Sequence, residues 1–245
     1  MKSCSSIILG AIVFTLMSGV ASAQDEVTGQ LWTDYHAHFY HSESMEYYAD
    51  GGIRFGGGDD KFVRAYVRPS IRYHHSEKLR FLAGLGVFGT NYEVAPSTLE
   101  IRPWQGVRFR WPKLGRFQFS NLIRLEQRLT FSENDSAFQL RLRYQLGTTL
   151  PLMAVPWRGF YVPVSFEFFF DAGDNVDLFS DELRLNAGVG YVVNEVWIFT
   201  FLLTVERTRS EQDSSFSTAD IIFRFQVKQL LSKRDFRGRI EAPDS

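Results

Sequence analysis

The stretch TDYHAHF places Asp34, His36 and His38 at two-residue intervals. An acid beside an imidazole is the pairing that general-base chemistry needs, given a hydrogen bond between them and a nucleophile or water in reach. On a strand the three share one face, but residues i and i+2 stand about 7 Å apart by the rise per residue. No serine-containing motif accompanies them. Two histidines without further evident ligands fall short of a metal site. Packing and ion pairing inside the fold is therefore the expected role, and no catalytic residue is assigned. A barrel enzyme acting on lipid or envelope peptide is the alternative these residues leave open.

Other chemistry is thinner. Asp171, Asp174, Asp177, Asp181 and Glu182 crowd one segment. Hard cations favour such oxygen clusters, but the spacing misses the calcium-loop signature, so solvated loop charge is expected. FGGGDD (55–60) has neither the lysine nor the helix of a phosphate loop and reads as a turn. Cys4 is the sole cysteine and precedes the first apolar run. No disulfide framework, thiol nucleophile or cysteine-ligated metal follows from it. No cofactor and no metal is expected.

Arginines carry the stronger pattern. In FQLRLRYQL (138–146), Phe138, Leu140, Leu142, Tyr144 and Leu146 alternate with Gln139, Arg141, Arg143 and Gln145. Period two makes this a strand with one apolar and one charged face. IRLEQRL (123–129) puts Arg124, Glu126 and Arg128 on one face, and Glu100, Arg102, Arg108 and Arg110 do the same on the strand before it. Arg64, Arg68 and Arg72 repeat the pattern earlier. If the apolar faces meet lipid, the charges line a barrel interior and pair through bidentate Arg–carboxylate bonds. The predicted lumen charge network is Arg102, Arg108, Arg124, Glu126, Arg128, Arg141 and Arg143, with Glu126 among Arg128, Arg141 and Arg143. It predicts a plugged or narrow lumen in place of a wide pore; water-lined charge is the plainer alternative.

The elements that position these residues are strands throughout. Alternation predicts them near 29–40, 45–56, 61–73, 78–92, 98–110, 116–130, 137–149, 159–170, 181–192, 196–208 and 217–228. Transmembrane strands need about 9–11 residues, whereas ordinary globular strands run nearer 5–6. Tight connections (74–78, 111–115, 193–196) alternate with longer polar ones (93–98, 131–136, 171–181, 209–217), the outer-membrane pattern. The 151–159 connection is longer than its place at the tight end requires. Tyr73, Trp111, Trp157, Phe160, Tyr191 and Trp197 cluster near the tight end, as an interfacial girdle does. The prediction is an all-β, antiparallel up-and-down transmembrane barrel of about twelve strands, within 10–12. Eleven strands are counted, and single-chain bacterial barrels are even, so either a twelfth strand is expected or one of the eleven does not span, with the discrepancy placed near the N-terminus. A soluble periplasmic barrel or sandwich binding an apolar ligand would turn the same apolar faces inward.

Three segments follow: a signal peptide over 1–23, a barrel domain over 24–229 and a polar tail over 230–245. Lys2, the apolar SIILGAIVFTLMSGV and the small-residue ASA before Gln24 make the signal. Removing Lys2 with it leaves 26 basic against 28 acidic residues, a net charge of −2. That balance argues against a nucleic-acid partner. Outer-membrane lipids and the barrel-assembly machinery are the expected partners, with a small solute if the lumen conducts.

QLWTDYHAHF, IRPWQGVRFRWPKLGRFQFSNLIRLEQRL, FQLRLRYQL and YVVNEVW together resemble the bacterial family called domain of unknown function 2490. The resemblance runs over nearly all of the chain after the signal. It implies a barrel in the outer membrane of a Gram-negative bacterium and brings no catalytic residues. One departure from the common barrel pattern is the end, where LLSKRDFRGRIEAPDS runs on past the last amphipathic strand. If IIFRFQV (221–227) is the strand read by the assembly machinery, that tail lies in the periplasm.

Overall fold

The structure is a computed structural model that describes residues 27–58, 61–115, 117–133, 135–151, 159–172, 182–209 and 216–232. Eleven strands follow one another: β1 (Val27–Tyr40), β2 (Met45–Gly56), β3 (Phe62–His74), β4 (Leu79–Tyr92), β5 (Thr98–Arg110), β6 (Gln118–Phe131), β7 (Ser136–Pro151), β8 (Gly159–Ala172), β9 (Glu182–Val192), β10 (Trp197–Arg209) and β11 (Phe216–Leu230). Each pairs antiparallel with its predecessor, and the sheet closes into a barrel. Among the described residues there is no helix. The predicted strands are recovered to within two residues at nearly every end, because a strand with unlike faces repeats its pattern residue by residue.

Closure is where the count departs from the expected twelfth strand. A meander of eleven leaves the first and last strands running the same way. β1 and β11 accordingly pair in parallel, in unbroken register from Val27↔Ala219 to His38↔Leu230. Parallel ladders are slightly weaker per residue than antiparallel ones, and side chains reinforce this one. Gln30 Nε2 donates to Asp220 Oδ2 at 2.8 Å, Thr28 also bonds Asp220, and Tyr35 bonds Gln229. Arg224 on β11 grips Asp34 on β1, both side chains fully enclosed. An even count is thus unnecessary, since the seam carries its own polar bonds.

The odd count also separates the chain ends. Val27 lies at the end of the barrel that carries the connections after β2, β4, β6, β8 and β10. Leu230 lies at the opposite, short-turn end. Turns there are built locally. Asn194 Oδ1 accepts from the backbone of Val196 and Trp197 at 2.8 and 2.9 Å, and Ser76 Oγ accepts from Leu79 at 3.1 Å. Asx and hydroxyl turns of this kind start a hairpin without any distant contact. Gly58, in the connection read as a turn, has a φ of 90°, which suits glycine best.

Facing is uniform around the barrel. Leu31, Val67, Ile71, Ile123, Leu142 and Phe201 point outward and are exposed, whereas Asp34, Arg68, Glu126, Arg143, Glu167 and Arg224 point inward and are buried. A soluble barrel with an apolar interior has the opposite arrangement. The short-turn end carries outward rings, with Tyr73, Trp111, Phe160 and Tyr191 all exposed. Phe160 and Tyr191 pack at 4.7 Å between centroids across β8 and β9. Trp157 lies outside the described residues.

The lumen is filled at the short-turn half. Leu82, Trp104 and Leu122 form one buried cluster, and Tyr161, Val192, Ile198 and Leu230 form another. Glycines on facing strands admit the rings. A Cβ at Gly190 would stand 2.0 Å from the Tyr161 ring, and one at Gly84 would stand 2.7 Å from Trp104. Gly84 and Gly190, on the polar faces by sequence, are there as ring seats.

Candidate functional site

Inside the barrel the charged side chains form separate clusters, each centred on a carboxylate. Glu126 on β6 takes Arg124 at 2.6 Å and Arg102 at 3.1 Å. Glu100 on β5 takes Arg102 at 2.6 Å and Arg128 at 3.0 Å. Arg102 therefore bridges the two acids. Glu126 is expected to lie among Arg128, Arg141 and Arg143; Arg141 does stand opposite it in the β6–β7 register, while each of the three makes its closest ion pair with another acid. Arg128 sits two residues nearer the long-connection end and reaches Glu100 diagonally, Glu100 itself standing opposite Thr130. Arg141 bonds Asp171 on β8 with two nitrogens, at 2.7 and 3.0 Å. Arg143 bonds Glu167 on β8 at 2.6 Å. The β7 arginines thus face β8 carboxylates more than the β6 one, which the pattern of a single hairpin does not reveal. Arg108 is buried on β5, six residues from Arg102 toward the short-turn end.

Glu167 is the densest node. Besides Arg143 it accepts from Gln145 at 3.1 Å and Asn186 at 3.0 Å, and Arg184 stands 3.6 Å away. Asn186 passes the network on, accepting from Thr204 Oγ1 at 2.6 Å. Arg184 also binds Glu182 at 2.6 Å and Glu206 at 2.5 Å. Sequence reasoning missed Glu167, Arg184 and Glu206 as network members. Their signal was present in FEFFFD, ELRLNAGVG and LTVERTR, where Glu167, Arg184 and Glu206 fall on the inward parity.

The acidic segment divides. Asp171 and Glu182 are strand residues, not solvated loop charge, and both are paired to arginine. β8 runs on to Ala172, past the predicted end at 170, and so takes in Asp171. Asp174, Asp177 and Asp181 lie outside the described residues. Among the described residues, no group of three or more His, Cys, Asp or Glu side chains could hold a metal ion.

Asp34, His36 and His38 do share an inner face, and each has its own partner. Asp34 holds Arg224 and accepts from the Tyr66 hydroxyl at 2.5 Å. His36 Nδ1 meets the Tyr48 hydroxyl at 2.5 Å, and His38 Nδ1 meets Glu46 Oε1 at 2.6 Å. Glu46 also takes His74 at 2.9 Å. Among the described residues no acid bonds His36, and the three residues form no relay. Structural ion pairing accounts for Asp34, as the sequence predicted.

Above the filled half, toward the long-connection end, the lumen opens into a chamber of about 250 Å³. Its walls include Arg54, Arg64, Arg102, Arg128, Arg141 and Arg184, with Trp32, Phe62, Phe88 and Phe169 between them. Each ring carries a guanidinium over its face, closest for Arg54 over Trp32 at 3.9 Å and Arg102 over Phe88 at 4.3 Å. Such stacking holds a cation partly desolvated without using its N–H groups.

No curated protein and no solved structure matches the chain. A family model does match, over residues 29–217, from the start of β1 to the start of β11. The family is described as protein of unknown function (DUF2490), and with most of its length covered the chain belongs to it.

Proposed function

We propose that the protein is an integral β-barrel of the outer membrane of a Gram-negative bacterium, without enzymatic activity, whose lumen is closed to through-passage. The observation that carries this reading is the continuous belt of exposed aliphatic and aromatic side chains, Leu31, Val67, Ile123, Leu142 and Phe201 among them, around an ion-paired interior. Soluble proteins rarely expose apolar patches beyond a few hundred Å², whereas a lipid-facing barrel requires such a belt. Strands of 11 to 16 residues meet or exceed the 9–11 or so that a tilted transmembrane strand needs. Outer-membrane lipids are then the partners of the belt, the barrel-assembly machinery acts during insertion, and residues 1–23 act as the signal that directs export. Closure of the lumen rests on the Leu82–Trp104–Leu122 and Tyr161–Val192–Ile198–Leu230 clusters, which stand across it below the arginine chamber.

Fractionated envelopes followed by planar-bilayer recording test both halves. The protein is expected in the outer-membrane fraction, and purified protein is expected to give no steady conductance step. Recovery in the osmotic-shock fluid would overturn the location; a reproducible open channel would overturn the closed lumen.

A further inference from the structure

We infer that the lumen chamber at the long-connection end is a binding site for a small phosphate-bearing anion. Eight arginines line it against two glutamates, Glu182 and Glu206. Six of the eight have carboxylate partners in the surrounding wall, as with Arg68 and Asp50 at 2.5 Å. Arg54 and Arg64 are the exceptions among the described residues. Arg54 has no hydrogen bond or ion pair; it is held between the rings of Trp32 and Tyr66, at 3.9 and 4.8 Å, and its Nε is buried without a partner. Arg64 donates only to Thr90 Oγ1, at 2.8 Å. Asp34, the acid that acts on Arg54, is already bonded to Arg224, so two half-buried guanidiniums that no carboxylate bonds are left facing an arginine-rich chamber, where an anion joining them offsets their desolvation.

The chamber also sets the ligand's size and class. Its volume of about 250 Å³ equals roughly eight water shares of 30 Å³. That is just below the range of about 300–1,000 Å³ for small-molecule pockets, and so excludes a nucleotide or a sugar chain. A ring-stacked guanidinium keeps its planar N–H edge for a bidentate acceptor, the geometry of arginine on phosphate. One phosphate offers three or more acceptor oxygens in a compact group and balances both unpaired cations at once. A single carboxylate does neither. The chamber lies among the ends of the strands that flank the long connections, with the buried apolar clusters on its short-turn side.

The chamber lies inside the barrel whatever surrounds the belt, so its test and the envelope fractionation fail independently. Refolded protein in a maltoside detergent is titrated calorimetrically with pyrophosphate and, in a parallel arm, with short-chain phosphatidic acid. Saturable one-site binding is expected, weakened at least tenfold by Arg54→Gln and by Arg64→Gln. Arg64→Lys, which keeps the charge and loses the bidentate edge, should also bind more weakly, and guards against a glutamine variant that does not fold. Pyrophosphate binding identifies a ligand taken from solution; binding of phosphatidic acid alone identifies a lipid headgroup. No binding in either arm, affinity unchanged in the variants, or equal binding of malonate would overturn the assignment.

Discussion

Asp34 shows how one side chain's chemistry depends on its surroundings. In the sequence it stands beside two histidines, as a catalytic acid might be spaced. In the barrel it joins Arg224 across the parallel seam and takes the Tyr66 hydroxyl as well. Removing one partner of a fully enclosed pair leaves the other charge uncompensated, at a cost of about 3–5 kcal/mol. Asp34→Asn and Arg224→Met should each lower the unfolding free energy in urea by about that amount. The double variant should recover a large part of it, because no bare charge is left behind. Additive losses would mean that the two residues act separately and that the seam is held by something else. The partners themselves were not legible in the sequence. Parity along a strand identifies which residues point inward, but only the closed register decides that Glu126 meets Arg124 and Arg102 while Arg143 turns to Glu167.

At the scale of the element, period two specified nearly everything. β7 presents Leu142 outward and Arg141 and Arg143 inward. In lipid, reversing this strand would cost about 4–8 kcal/mol for its two arginines, at 2–4 kcal/mol each near mid-bilayer. The same figures give a single-residue test. Leu142→Arg should destabilise the barrel refolded in lipid vesicles by about 2–4 kcal/mol. A change within about 0.5 kcal/mol, the usual result at a water-exposed position, would mean that this face meets water. Strand boundaries were legible for the same reason as facing, since unlike faces alternate residue by residue. The role of Gly84 and Gly190 was not. Their ring neighbours come from other strands, and nothing local marks a glycine as a seat for Trp104 or Tyr161. Asp171 was misplaced because acidity resembles a loop unless the arginine across the sheet is known.

For the whole molecule, the odd strand count has the widest consequence. Eleven strands were counted from the pattern, and the general preference for even barrels argued for one more. The structure satisfies closure by parallel pairing of β1 and β11 instead, and places Val27 and Leu230 at opposite ends. The closed sheet, the apolar belt, the filled short-turn half and the arginine chamber together support the proposed sealed barrel with a receptacle at one end. The resemblance to the DUF2490 family, visible in strand patterns such as RLEQR, is upheld by the family match over residues 29–217. The chamber lay beyond sequence reasoning because its walls come from ten strands, and its two guanidiniums that no carboxylate bonds are recognised only once all the others have found acids.

The central claim is that the exposed belt meets lipid around a closed barrel. Gel migration of the outer-membrane fraction, with and without boiling, tests it most directly. The account predicts a compact, detergent-resistant species that changes apparent mass only after boiling. A single boiling-independent band, with the protein absent from that fraction, would contradict it.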